Sequence, residues 1–245
     1  MTNWLLLRGL TRDQRHWGQF HDELAARLGV RVVTIDPPGF GTRNGHVSPR
    51  SIAAITDDIR ARFEPGDERW SLLGISLGGM MAMDWVARYP ADFERCAVVN
   101  TAAPALFRPH QMGGGLVSLV AGKQFRSLDA HEAAALALSS NRPADELTEL
   151  AATWARYQRE AAPVSASALG QVAAAVTFRL PARIPVPLLV LTSAGDRLID
   201  HRISRRLAAR FDAPLRVHPD AGHDLPLDDG AWVCERIAEW LGPVD

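Results

Sequence analysis

Two cysteines in 245 residues, Cys96 and Cys234, are too few and too far apart for a disulfide framework or a cysteine-based metal site. They read as free thiols of a reducing compartment. The chain also lacks any run of about 18 apolar residues that could span a bilayer. Its opening, Met1 to Arg8, has neither the basic start nor the long apolar stretch of a signal peptide. A cytoplasmic protein without a membrane partner is therefore expected. Charge imbalance is missing too. With 27 Lys and Arg against 28 Asp and Glu, the net charge of −1 makes no electrostatic case for nucleic acid or an anionic surface. Disorder is equally unsupported, since 47% of residues are hydrophobic and only 22% charged. What remains is a globular chain long enough for one large α/β domain, or for such a domain with an inserted lid.

Strand-like runs recur along it with helical stretches between them. Trp4–Leu7, Arg31–Ile35, Trp70–Leu73, Cys96–Asn100, Pro187–Thr192 and Leu215–His218 are short and mostly apolar or β-branched. An amphipathic stretch from Gln14 to Leu28 presents Trp17, Phe20, Leu24 and Leu28 on one face. Another helix is expected to start at Ser48-Pro49, an N-cap followed by proline, and a last one to run from Ala231 to Leu241. Apolar strands alternating with helices indicate a parallel sheet covered on both faces.

From Pro104 to Arg183 the alternation stops and alanine dominates. Leu116–Val120, His131–Leu138, Asp145–Tyr157 and Ser165–Phe178 read as four short helices, entered through Gly113–Gly115 and left through Pro181, Pro185 and Pro187. An insertion of that size is more than a connection. The expected organisation is a core of residues 1–103 and 184–245 with residues 104–183 inserted as a helical lid.

Gly74-Ile75-Ser76-Leu77-Gly78 joins the third strand to a helix beginning near Gly79. A strand turning straight into a helix pinches its backbone, so the flanking positions are glycine and the serine hydroxyl is pushed outward. A serine is a weak nucleophile at neutral pH and needs a base, which in turn needs a group to fix its tautomer. His223, in Gly222-His223 after the sixth strand, and Asp196, in Gly195-Asp196 after the fifth, stand at carboxyl ends of parallel strands, as Ser76 does. Competing acids are Asp200, which reads as a helix cap, Asp220 and Asp224 beside the histidine, and the turn-forming Asp36. For the oxyanion, the backbone N–H of Leu77 and that of Leu10, in the loop after the first strand, are the expected donors.

On these segments, with Asp36–Gly41 and Trp17, the chain resembles the α/β-hydrolase superfamily over nearly its whole length. It is similar to small lidded carboxylesterases such as the pimeloyl-carrier methyl ester esterases, and to the menaquinone-pathway lyases on the same scaffold. The resemblance implies a Ser76–Asp196–His223 triad working without metal or cofactor. Two departures stand out. Arg8-Gly9 replaces the usual His-Gly, and only three residues precede Trp4. The sheet should thus be a trimmed, all-parallel one of about six strands. Arg8 is expected to pair with a carboxylate such as Asp36, to brace the oxyanion loop by bonding backbone carbonyls, or to attract a substrate carboxylate at the pocket rim.

The leading expectation is a serine hydrolase cleaving a small-molecule ester or thioester through an acyl-enzyme. The alternatives are a lyase or carbon–carbon hydrolase using the same triad, and a non-catalytic ligand-binding protein. Serine at the nucleophile position disfavours aspartate-nucleophile dehalogenases and epoxide hydrolases. The lid's Ala, Leu and Val favour a flexible acyl or alkyl group. A carrier-protein-linked substrate gains no support from lid charge, with seven Lys and Arg against six Asp and Glu between Pro104 and Leu180.

Overall fold

A computed structural model describes residues 2–107, 127–163 and 165–242. Six strands form one sheet: β1 (Asn3–Leu7), β2 (Val32–Thr34), β3 (Trp70–Ile75), β4 (Arg95–Val99), β5 (Leu188–Ser193) and β6 (Leu215–His218). Their spatial order is β2-β1-β3-β4-β5-β6, and every pairing is parallel. The expected trimmed sheet is the one observed. The chain starts at β1, steps to one edge, then returns past β1 and winds toward the other edge. That reversal puts the switch in strand order between β1 and β3, where α/β sheets open a crevice beyond the strands' carboxyl ends.

The period of two along each strand sorts side chains into separate cores. Leu5, Leu7, Leu72, Val98 and Val190 point to one face and pack with α2 (Ile52–Arg60), α3 (Leu77–Arg88) and α7 (His201–Phe211). Leu6, Leu73, Ile75, Val99 and Leu191 point to the other and pack with α1 (Phe20–Leu28) and α9 (Gly230–Leu241). The inner strands β1, β3, β4 and β5 are buried on both faces, so they have no need of polar alternation, and this is why they read as nearly continuous apolar runs.

Two helix starts differ from expectation. The stretch from Gln14 divides into a 3₁₀ turn, Gln14–Trp17, and α1, because Gly18 takes φ 55° and ψ −125°, which no helix accommodates. Helix α2 is capped by Ser51, whose side chain accepts from the Ala54 N–H, whereas Ser48 lies buried outside it with its own N–H on Ser167 Oγ.

Between β4 and β5 lie α4 (Leu128–Ser139), α5 (Ala144–Ala161) and α6 (Ser165–Thr177). The expected helix at Leu116–Val120 and its glycine entry fall outside the described residues. Helices α4 and α5 make a hairpin around Leu136, Ala151 and Trp154. Helix α6 instead buries Ala174 in the same core as α2 and α3. A four-residue turn, α8 (Leu225–Asp228), precedes α9. None of the described helices is long and apolar enough to cross a membrane.

Candidate active site

Ser76 sits between β3 and α3 at φ 54° and ψ −117°, a conformation that L-residues rarely hold and that costs on the order of 1–3 kcal/mol. Its surroundings enforce it. A Cβ on Gly74 would overlap the Gly78 carbonyl, and one on Gly78 would overlap the Leu7 carbonyl, so both close approaches require glycine. The Ser76 N–H donates to Val99 O at 2.9 Å, and its carbonyl accepts from Thr101 Oγ1 at 2.7 Å and from the Gly79 N–H at 3.0 Å. With its backbone held on both sides, the side chain is left facing a cavity of about 270 Å³.

His223 lines the same cavity. Behind it, Asp196 Oδ2 lies 2.8 Å from His223 Nδ1, and the Asp196 side chain has no exposure. A carboxylate only accepts, so Nδ1 carries the proton and the Nε2 lone pair is left free. The other Asp196 oxygen accepts from the N–H groups of Leu198 and Ile199 at 2.8 and 2.9 Å, which fixes the carboxylate's rotation. Burial disfavours a charged imidazole here, yet the charge of Asp196 and its hydrogen bond outweigh that, and the His223 pKa is raised above the ordinary value of 6.5. Asp200 caps α7 through the Arg202 N–H.

The two loops are held together by residues that sequence reasoning passed over. Fully buried Asn100, at φ 44° just past β4, accepts from the Ser193 N–H and the Thr192 hydroxyl. Its amide donates toward His223 O at 2.8 Å and Gly222 O at 3.2 Å. Asn141, in the turn after α4, donates to Asp220 O at 2.6 Å and Gly195 O at 3.2 Å, one carbonyl on each loop. Asp228 accepts from the Gly222 and Asn141 N–H groups and from the Ser140 hydroxyl. The only sequence trace of the first was a polar residue ending an apolar strand.

The loop after β1 closes the other side. Gly9 backs onto the serine, where a Cβ would lie 3.3 Å from that of Ser76. Leu10 lines the cavity, and Leu77 heads α3, whose first N–H groups have no acceptor within the helix. The Thr11 N–H donates to Gln171 Oε1 of α6 at 2.8 Å, so this loop is fastened to the helices between β4 and β5.

Arg8 does not pair with Asp36. Asp36 is already engaged by the N–H and side chain of Gln14 and by the N–H and hydroxyl of Thr42, a turn-forming role. Arg8 instead donates both terminal nitrogens to Asp224, at 3.1 and 2.6 Å, with its guanidinium 4.7 Å above the Trp17 ring. Both members are buried, at 4% and 7% side-chain exposure. Burial raises the Asp224 pKa, but Arg8 dominates through charge and hydrogen bonds, and the net shift is downward. One ion pair therefore ties the loop bearing Leu10 to the loop bearing His223.

The sequence profile of the α/β hydrolase family matches residues 4–236. The chain belongs to the α/β hydrolase family. Among curated α/β hydrolases, it is 28% identical to a pimeloyl-[acyl-carrier protein] methyl ester esterase of Chromobacterium violaceum, across 90% of this chain and 86% of that one. A shorter match, 33% identical, covers 40% of this chain and only 17% of a biotin biosynthesis bifunctional protein of Teredinibacter turnerae. Among solved structures, the enol-lactonase of Burkholderia xenovorans is 22% identical, with a TM-score of 0.75 over 99% of this chain and 92% of that chain. At that identity the likeness speaks for the fold.

Proposed function

We propose that this α/β hydrolase cleaves a carboxylic ester or thioester through an acyl-enzyme on Ser76. The carrying observation is the 2.8 Å contact between His223 Nδ1 and the buried Asp196 carboxylate, in a cavity shared with a strained, outward-facing serine. On this reading, His223 Nε2 takes the Ser76 proton as Oγ attacks the carbonyl carbon. It then gives that proton to the departing alcohol or thiol, and water repeats the cycle on the acyl-serine. Asp196 holds the tautomer and stabilises the imidazolium. The N–H groups of Leu77 and Leu10 receive the oxyanion, aided by the positive end of α3. On the same reading residues 104–183 act as a lid, which the presence of His131, Ala135 and Gln158 of α4 and α5 in the cavity lining supports. The Chromobacterium relative, an esterase by name, supports ester cleavage.

The test is turnover of methyl and p-nitrophenyl esters and acyl thioesters by wild type and Ser76→Ala. The alanine variant should fold normally and lose turnover, since the hydroxyl contributes little packing at an open turn. Undiminished turnover in that variant contradicts the proposal.

A further inference from the structure

Two arginines, Arg8 and Arg12, line the cavity and on first view invite an acidic substrate. The charge count argues otherwise. Arg8 is spent on Asp224 at 2.6 Å, and Arg12 NH1 is spent on Glu132 Oε2 at 2.7 Å. Glu132 is wholly buried and also accepts from Gln158 Nε2 at 2.6 Å. His131, which also lines the cavity, has its pKa lowered, chiefly by burial with Glu132 opposing and Arg12 assisting, which disfavours its charged form. Asp196, behind His223, supplies a further negative charge, so a carboxylate entering the cavity meets no net positive field.

Hydrogen-bonding capacity is another matter. The Arg12 guanidinium lies over the Trp154 ring at 4.5 Å, which fixes its plane, and only NH1 is engaged by a protein acceptor among the described residues. A guanidinium carries five donors, so several remain. Gln158 uses its NH₂ on Glu132, and its carbonyl oxygen keeps acceptor capacity. Leu10, Phe40, Ile75, Ala135 and Leu198 give the cavity its apolar lining, with Thr11 and Ser139 as further polar residues. Its volume of about 270 Å³ is at the small end for ligand sites and suits a short acyl group.

Resting on the hydrolase reading above, we infer that the preferred substrate carries a short, uncharged acyl chain with an oxygen, keto or hydroxy, that accepts a hydrogen bond from Arg12. This narrows the aliphatic preference read from the sequence. Burying plain alkyl against Arg12 and Gln158 leaves their polar groups unanswered. A site built to hydrogen-bond an oxygen discriminates strongly against the analogue lacking it.

The test compares kcat/KM, by titrating released acid, for three sets of methyl esters matched in chain length. These are alkanoates, their 4-, 5- and 6-oxo analogues, and the corresponding half-esters with a terminal carboxylate. The best oxo ester should exceed its alkanoate by at least about tenfold, with the half-esters slowest. In Arg12→Met and in Arg12→Lys, which keeps the charge but loses the planar fork, the oxo-to-alkyl ratio should fall toward one. The ranking in wild type needs no variant to fold. Cleavage with alkanoates equal or preferred, or with half-esters fastest, overturns this inference while leaving the hydrolase reading standing. Failure to cleave any ester, with no fluorophosphonate adduct on Ser76, overturns both.

Discussion

His223 has the most decisive charge state in the molecule. To act as a base it must be neutral, and Asp196 raises its pKa above the ordinary 6.5. The expected kcat/KM profile therefore loses activity on the acid side with a midpoint above 6.5, and Asp196→Asn should move that midpoint down while cutting turnover on the order of 10⁴-fold. The linked stability has a definite sign: the His223–Asp196 interaction contributes fully below the unfolded-state pKa and is lost as pH rises through the raised folded value. Asp224 behaves oppositely. Its depressed pKa contributes stability above the ordinary carboxylate range that is lost as pH falls through the folded value. Arg8→Met strands Asp224 as a buried, unpaired charge, so urea titration should show a loss of about 3–5 kcal/mol, with kcat lowered for every substrate. Unchanged stability would mean that the pair does not form.

At the scale of elements, β4 and the turn after α4 hold the site through Asn100 and Asn141. Asn100→Ala leaves a backbone N–H and two loop carbonyls without their partner, each worth about 1–3 kcal/mol when buried. Thermal unfolding should report that loss, together with a drop in kcat larger than any rise in KM; a stability loss with kcat intact would reduce Asn100 to a structural tie. The strands, the serine turn and the Gly195-Asp196 and Gly222-His223 loops were legible because their signals are local: apolar runs, pinching glycines, chain order. Hydrogen-bond partners were not. Arg8 meets a residue 216 positions away, and nothing short-range separates Asp224 from Asp36 as its acceptor. The break at Gly18 and the cap at Ser51 rest on local features, a positive-φ glycine and a serine side chain on the Ala54 N–H, that compete with nearby alternatives in the sequence such as Ser48-Pro49.

Across the whole molecule, the segment from the loop after β1 through the 3₁₀ turn is tied to the helices between β4 and β5: Thr11 to Gln171, Arg12 to Glu132, and Arg15 to Glu160 and the Tyr157 carbonyl. The part-buried Arg12–Glu132 contact and the Thr11 backbone bond tie the proposed oxyanion loop to α4 and α6. Ser76 is the proposed nucleophile. The most direct test is mass spectrometry of the protein treated with a fluorophosphonate, alongside His223→Ala and Ser76→Ala. A single adduct on the peptide containing Ser76, sharply slowed without the imidazole and absent from the alanine variant, is the expected result. An adduct on another residue, or labelling at Ser76 indifferent to His223, would contradict the account.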